Sequence, residues 1–599
     1  MPFSIANLVR RLWQTIDLTR RILVNALFVL LVAGILLAAL ADRTPQIPDA
    51  SILRIELAGP LVEETPEPTG MEQFLSQLAP HITRHAATRV TDVVRILRAA
   101  ALDPRIALIE LDTRDVEADL AKLHILAQEI RLLRQSGKPV WTYSEFYTQP
   151  AYLLAAACDR VSLHPLGGVL LTGFGFYPLH FKKLLDDLRI DVTLLRAGTY
   201  KSAAEPLVRD SMSEETRSAT RAWLETLWRA FRMDIAASRN IPAEAIHHYA
   251  QGLDRLVVEA NGDAALVARR QGLVDAVETS AAFQAAMAKH LGRDDPKDLS
   301  IVSMEAYAAT LSPSQPQKDA VAVVRAQGPI VPETDGTDAI AADALVERLQ
   351  RAASDPRTRA LVLRLDSPGG SAAAAEDIRA ALARIRDTGM PVVVSFGAMG
   401  ASGAYWIATA ATRILAEPMT LTGSIGVFAT IPNLTRAAQR LGITSDGVGT
   451  TELADQANPL RPLSSRTTAA LEASLQHSYR RFQDLVAQAR GFDASTTSRL
   501  AQGQVWTGEE AKDLRLVDAV GGEDLAVTMA ATLAGVPNAP ALEFRPEPQP
   551  MDLLSTLVHS HVFAPDIRLL APLSPLARTL ARGGIFAWAA ELSTGWTTH

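Results

Sequence analysis

Residues 360–396 read ALVLRLDSPGGSAAAAEDIRAALARIRDTGMPVVVSF. ALVLRL (360–365) and PVVVSF (391–396) are short apolar runs with little polar alternation, the pattern of strands buried on both faces. Between them AAEDIRAALARIR (374–386) places apolar residues at helical spacing. Strand, helix and strand in that order make a crossover unit, and its strands run parallel. Upstream, VAVVRA (321–326) and ALVERLQRAA (344–353) add another strand and helix. The fold class read from this alternation is α/β, with parallel sheets packed in layers against helices.

The same pattern occurs twice. Asp103-Pro104-Arg105 returns as Asp355-Pro356-Arg357, 252 positions later, and Gly137-Lys138-Pro139 as Gly389-Met390-Pro391 at the same offset. Tyr152-Leu-Leu-Ala aligns with Tyr405-Trp-Ile-Ala, Leu171-Thr172-Gly173 with Leu421-Thr422-Gly423, and Leu273-Val274-Asp275 with Leu516-Val517-Asp518. Two copies at so long a period indicate duplicated domains and not a solenoid, which needs at least three shorter units. The expected organisation is a first repeat over 50–312, a linker near 311–319 (LSPSQPQKD), a second repeat over 319–545 and an extension over 546–599.

The 599 residues carry 48% hydrophobic and 21% charged side chains, which excludes wholesale disorder. A net charge of −7 gives no reason to expect nucleic acid as a partner. The single cysteine, Cys158, excludes an intrachain disulfide framework and a thiolate metal cluster. No metal or cofactor is expected.

Residues 22–41, ILVNALFVLLVAGILLAALA, contain no charge. Twenty residues of helix span about 30 Å, enough to cross a bilayer core. Arg10, Arg11, Arg20 and Arg21 precede the run, so the positive-inside rule puts residues 1–21 in the cytoplasm and the body outside. Ala39-Leu40-Ala41 resembles a signal-peptide cleavage site, but the run exceeds the usual signal core, which favours a retained single-pass anchor. TPQIPD (44–49) links it to the body.

Three segments of the second repeat end strands in small residues. In Asp366-Ser367-Pro368-Gly369-Gly370, adjacent glycines let backbone N–H groups face a ligand, although on this motif alone a Pro-Gly turn is the better reading. In Gly400-Ala401-Ser402-Gly403-Ala404, a serine at a strand-to-helix turn suits a nucleophile and equally a helix N-cap. In Leu421-Thr422-Gly423-Ser424-Ile425-Gly426-Val427, a turn is the plainer reading. A serine nucleophile needs a base. The second repeat offers only His477, with His559, His561 and His599 beyond it, none at a strand end, which disfavours a Ser-His-Asp triad. A lysine is the alternative, and Gly198-Thr199-Tyr200-Lys201-Ser202-Ala203 of the first repeat supplies one. In the repeat frame Ser402 lies opposite Gln149 and Lys201 opposite Glu452, so neither copy holds both halves of a Ser/Lys pair.

GTYKSAAEPLVRDSMS (198–213), LDSPGGSAAAAEDI (365–378), GAMGASGAYWIA (397–408), LTGSIGVF (421–428) and GQVWTGEEA (503–511), with the duplication and the anchor, resemble the long bacterial form of signal peptide peptidase A, also called protease IV. The resemblance covers nearly the whole chain. It implies two tandem Clp-protease/crotonase-like domains, with Ser402 as nucleophile, Lys201 as general base and Ser424 orienting the lysine. Gly369 and Gly370, with Gly403 nearby, would form the oxyanion hole. It further implies a membrane-bound homo-oligomer, expected to be a tetramer shaped as a bowl, acting on remnant signal peptides and other apolar peptides. Position 366 is Asp where many relatives carry Asn, a departure that bears on loop detail alone.

That mechanism makes a demand of its own. An ordinary lysine, with a pKa of about 10.4, is neutral in only about one molecule in 2,500 at pH 7. Lys201 is therefore expected to be buried and away from carboxylates. Two rival readings share the fold: a crotonase-type acyl-CoA enzyme, which an outward-facing body disfavours, and a non-catalytic membrane scaffold that binds peptides.

Overall fold

The computed structural model describes residues 46–65, 87–311, 318–333 and 339–546 apart from position 58, together with residue 316 and short helical pieces between 20 and 29. The expected anchor at 22–41 and the extension at 546–599 lie largely outside the described residues, as does part of the 311–319 linker. Among the described residues no helix is long and apolar enough to cross a membrane. Among the described residues, 48–65, 87–304 and 318–546 group into one compact unit that holds the sheets of both repeats, and residues 305–311 group into another.

The first repeat builds a six-stranded sheet. Its order is Ile301–Ser303, Ser51–Glu56, Ile106–Asp112, Val140–Ser144, Arg160–Leu163 and Ala276–Val277, with every pairing parallel. The second repeat has the same order with Ala541–Glu543, Ala320–Gln327, Thr358–Ser367, Val392–Ala401, Arg413–Ala416 and Ala519–Val520, again parallel.

Sequence identities shared by the repeats perform the same task in each. Asp103 and Asp355 each accept a two-pronged hydrogen bond from the arginine two residues on, Arg105 and Arg357, which closes the turn into the next strand. The hydroxyls of Tyr152 and Tyr405 each donate to a leucine carbonyl, Leu273 and Leu516, at 2.7 Å.

The unbroken apolar strands follow from two-sided burial. In Ala320–Gln327, Ala322, Val324 and Ala326 face the helices Ala342–Ser354 and Ala372–Asp387. Val321 and Val323 face the helix Glu523–Leu533. Each fully buried valine or leucine contributes roughly 1.5–3 kcal/mol.

Two additions matter for the site. Val392–Ala401 runs past its central pairing to join Leu421–Gly423 in parallel, and that strand pairs antiparallel with Val505–Thr507. Asp191–Ala197 of the first repeat pairs antiparallel with Val427–Asn433 of the second, Ala197 facing Val427. The repeats thus share a ladder, because each of these strands finds its hydrogen-bond partner in the other copy.

Candidate active site

Ser402 follows the strand Val392–Ala401 and opens the short helix Gly403–Ala408. Its backbone sits at φ +55° and ψ −114°, a conformation that costs a non-glycine residue roughly 1–3 kcal/mol. Pairing holds it there: the Ser402 N–H donates to the Gly423 carbonyl and the Ser402 carbonyl accepts from the Trp406 N–H, both at 2.9 Å. The Ser402 hydroxyl makes no N-cap bond, so it is free for another partner.

That partner is Lys201. Its Nζ lies 2.9 Å from Ser402 Oγ, 2.9 Å from the Ser424 carbonyl oxygen and 3.0 Å from Ser424 Oγ. Lys201 is carried on the turn that leaves Asp191–Ala197, so the shared ladder delivers it to the loop preceding Val427. A second set of contacts fixes the turn. The Tyr200 N–H donates to the Gln502 carbonyl, the Ser424 N–H to the Gln504 carbonyl, and the Gly503 N–H to the Ile425 carbonyl. Gly503, at φ +83°, has no room for a side chain, since a Cβ there would lie 2.7 Å from Lys201 N. Residues 502–504 therefore clamp both loops, a role that the sequence signalled only as a shared motif, GQVWTGEEA.

Lys201 is 5% exposed and Ser402 8%. Among the described residues no carboxylate forms an ion pair with Lys201, and burial alone pulls its pKa down from 10.5 to about 7. An amine poised there is half neutral at physiological pH.

Gly369 has φ +100°, and a Cβ on it would lie 2.7 Å from Gly403 N and 2.8 Å from Ser402 Cβ. The glycine loop thus packs directly against the serine turn. The Gly369 N–H donates to Ser367 Oγ at 3.1 Å. Gly370 is tied in through its neighbours, as Ile330 N–H donates to the Gly369 carbonyl and Ser371 N–H to the Ile330 carbonyl. The N–H groups of Gly370 and Gly403 have no acceptor among the described residues, and Gly370 N lies 3.1 Å from where a Gly403 Cβ would be.

The matching strand end of the first repeat is closed. Gln149 is buried there, with Oε1 accepting from the Thr172 and Gly173 N–H groups at 2.8 Å each and Nε2 donating to the Gly173 carbonyl at 3.1 Å. The lysine's counterpart, Glu452, is exposed and paired with Arg466. His124 of the first repeat has Nδ1 on Asp234 and Nε2 on Gln128, and His248 lies 3.7 Å from Glu244.

Residues 132–293 and 384–537, one stretch in each repeat, match Peptidase family S49. The chain belongs to peptidase family S49. It is a serine protease, with the tandem S49 regions each built on a parallel α/β sheet. Among its relatives, "Protease 4" of Salmonella typhi is 34% identical over 590 residues, covering 97% of this chain and 95% of that one. "Protease 4" of Haemophilus influenzae is 32% identical over 532 residues, covering 87% and 86%. The chloroplastic serine protease SPPA of Arabidopsis thaliana is 28% identical over 447 residues, covering 73% and 64%.

Proposed function

We propose that this S49 protein is a membrane-anchored endopeptidase that degrades remnant signal peptides with a dyad of Ser402 and Lys201. The observation that carries the reading is the 2.9 Å contact between Ser402 Oγ and an amine that is buried among hydroxyls and carbonyls and has no carboxylate partner among the described residues. In its neutral form the amine donates its two N–H groups to the carbonyl and hydroxyl of Ser424. Its lone pair is then directed at the Ser402 O–H. Lys201 takes that proton as Oγ attacks the peptide carbonyl. The N–H groups of Gly370 and Gly403 receive the oxyanion, and Gly369 allows them to approach by having no side chain. The lysine ammonium then protonates the leaving amine. Lys201 next takes a proton from the water that attacks the acyl-enzyme carbonyl, and passes it to Ser402 Oγ as the acyl group leaves.

The uncharged run at 22–41 and its flanking arginines support a single-pass anchor in a bacterial inner membrane, with the body on the periplasmic side. Apolar peptides left in that bilayer are the substrate class such a placement suits. The relationship to Clp proteases and crotonases belongs to the same reading.

Self-association is supported by the repeat frame. Segments 177–183 and 442–448 are the counterparts of Val427–Asn433 and Asp191–Ala197, which pair within the chain, yet neither is a strand here. Tyr177, Leu179, Ile443 and Val448 in them are exposed. Head-to-tail pairing of one protomer's 442–448 with 177–183 of the next would close a ring, expected to hold four protomers.

The test is direct. Ser402→Ala and Lys201→Ala should each abolish hydrolysis of a fluorogenic signal-peptide analogue, and Ser402→Ala should abolish labelling by a fluorophosphonate, with unchanged circular dichroism. Labelling that persists in Ser402→Ala would remove the nucleophile. Absence of labelling in the wild type would favour the scaffold reading, and turnover of an acyl-CoA thioester the crotonase one.

A further inference from the structure

A second lysine of the first repeat also reaches into the second, at the residue that precedes its glycine loop. Lys122, on the helix Leu120–Gln135, is 1% exposed. Its Nζ lies 2.5 Å from Asp366 Oδ2, pairs with Asp119, and stands 4.0 Å from Glu63, which in turn is 3.0 Å from Arg364. Asp366 immediately precedes the Ser367-Pro368-Gly369-Gly370 loop. Its other oxygen, Oδ1, accepts the Met399 N–H at 2.9 Å.

That second bond spans an irregularity. Leu365 faces Phe396, but Ser367, two residues on, faces Gly400, four residues on. The strand Val392–Ala401 therefore carries two extra residues opposite Asp366, and bulges of this kind re-aim the backbone beyond them. Ser402 comes two residues after Gly400. The bulge has room for the carboxyl group only because position 397 is glycine: a Cβ there would lie 2.8 Å from Asp366 Cβ and 3.0 Å from Glu63 Oε1. One carboxylate thus links the root of the glycine loop to the bulge that aims the serine, and a cation from the other repeat holds that carboxylate.

We infer that Lys122 is a positioning residue for the reaction at Ser402, acting through Asp366 to align the glycine loop with the serine turn. The inference rests on Ser402 being the nucleophile. Burial pulls the Lys122 ammonium down, but Asp119, Asp366 and Glu63 more than offset this and hold it charged above its ordinary range. Removing the cation leaves Asp366 buried without its counter-ion, and the carboxyl group must then take up a proton or move. Either change disturbs the bulge, and displacement of reacting groups by about 1 Å costs about 100-fold in rate.

The experiment compares wild-type, Lys122→Met, Lys122→Met/Asp366→Asn and Ser402→Ala full-length enzymes in detergent. It measures kcat and KM on a fluorogenic peptide per site titrated by fluorophosphonate, with thermal midpoints alongside. Lys122→Met should lower kcat about 10- to 100-fold with KM within about 2-fold. The double variant should recover most of the loss, because an amide needs no counter-ion and its oxygen still accepts the Met399 N–H. A merely structural role would lower the thermal midpoint and the number of titrated sites while leaving kcat per site unchanged, and that result overturns the inference. So does a double variant no faster than Lys122→Met. Should Lys122→Met fail to fold, Lys122→Arg keeps the charge while changing its reach, and wild-type kcat per site in that variant is equally fatal. Full activity in Ser402→Ala would instead strike the nucleophile reading.

Discussion

Lys201 and Lys122 come from the same repeat, are both buried, and both reach into the other repeat, yet their surroundings shift their pKa values in opposite directions. Around Lys201 stand the hydroxyls of Ser402 and Ser424 and a carbonyl; around Lys122 stand the carboxylates of Asp119, Asp366 and Glu63. Burial opposes the ammonium in both places. In the first no carboxylate among the described residues offsets it, and the pKa falls to about 7; in the second three carboxylates do, and it rises. Burial alone therefore does not neutralise a lysine; burial without a carboxylate partner does.

The most severe way to break this contrast is Lys201→Met. Loss of a general base costs about 10²–10⁴-fold, so kcat/KM should fall by at least that much. The same variant should be more stable than wild type near neutral pH. Between about 7 and 10.5 the unfolded chain holds a proton that folded Lys201 has lost, so wild-type stability rises with pH across that window. Below it the burial penalty is at its full value, at most about 5 kcal/mol. Thermal melts at pH 6.5 and pH 10 check this: the advantage of Lys201→Met should be larger at pH 6.5.

A subtler intervention gives Lys201 the surroundings of Lys122. Ser424→Asp places a carboxylate beside the amine, at a position whose φ of +48° aspartate tolerates better than most residues. The ammonium should then persist at neutral pH, lowering kcat/KM about 10- to 100-fold at pH 7, with partial recovery above pH 9. Ser424→Asn, which adds no charge, should lack that recovery. In the wild type, kcat/KM should rise with pH through an apparent pKa near 7 and then level off. A profile flat from pH 5.5 to 8.5 would mean that Lys201 is not the titrating base.

The gentlest test concerns the closed strand end of the first repeat. Gln149→Ser places a serine where Ser402's counterpart lies, but among the described residues no lysine hydrogen-bonds at that position. Fluorophosphonate labelling should stay confined to Ser402, and stability should fall by about 1–3 kcal/mol because the Thr172 and Gly173 N–H groups lose their acceptor. A second labelled serine would show that the strand end suffices without the amine.

Much of this architecture was legible in the chain itself. The apolar runs at 321–326, 360–365 and 391–396 read as parallel strands, because short, β-branched, unbroken runs suit a sheet covered on both faces. The period near 252 announced two copies, and the sequence assigned the lysine and the serine to different ones. Local pattern could not determine the partnership between them. It could not show that Asp191–Ala197 would leave its own repeat to pair with Val427–Asn433, since the length and composition of a strand do not name its partner. It treated Asp366 as a detail of a loop, whereas the folded chain brings Lys122 to it from 244 residues away. Charge states depend on what lies within a few ångströms, and those neighbours come from distant parts of the chain. Sequence supplied two lysines of identical chemistry; packing set one among hydroxyls and carbonyls and gave the other three carboxylates.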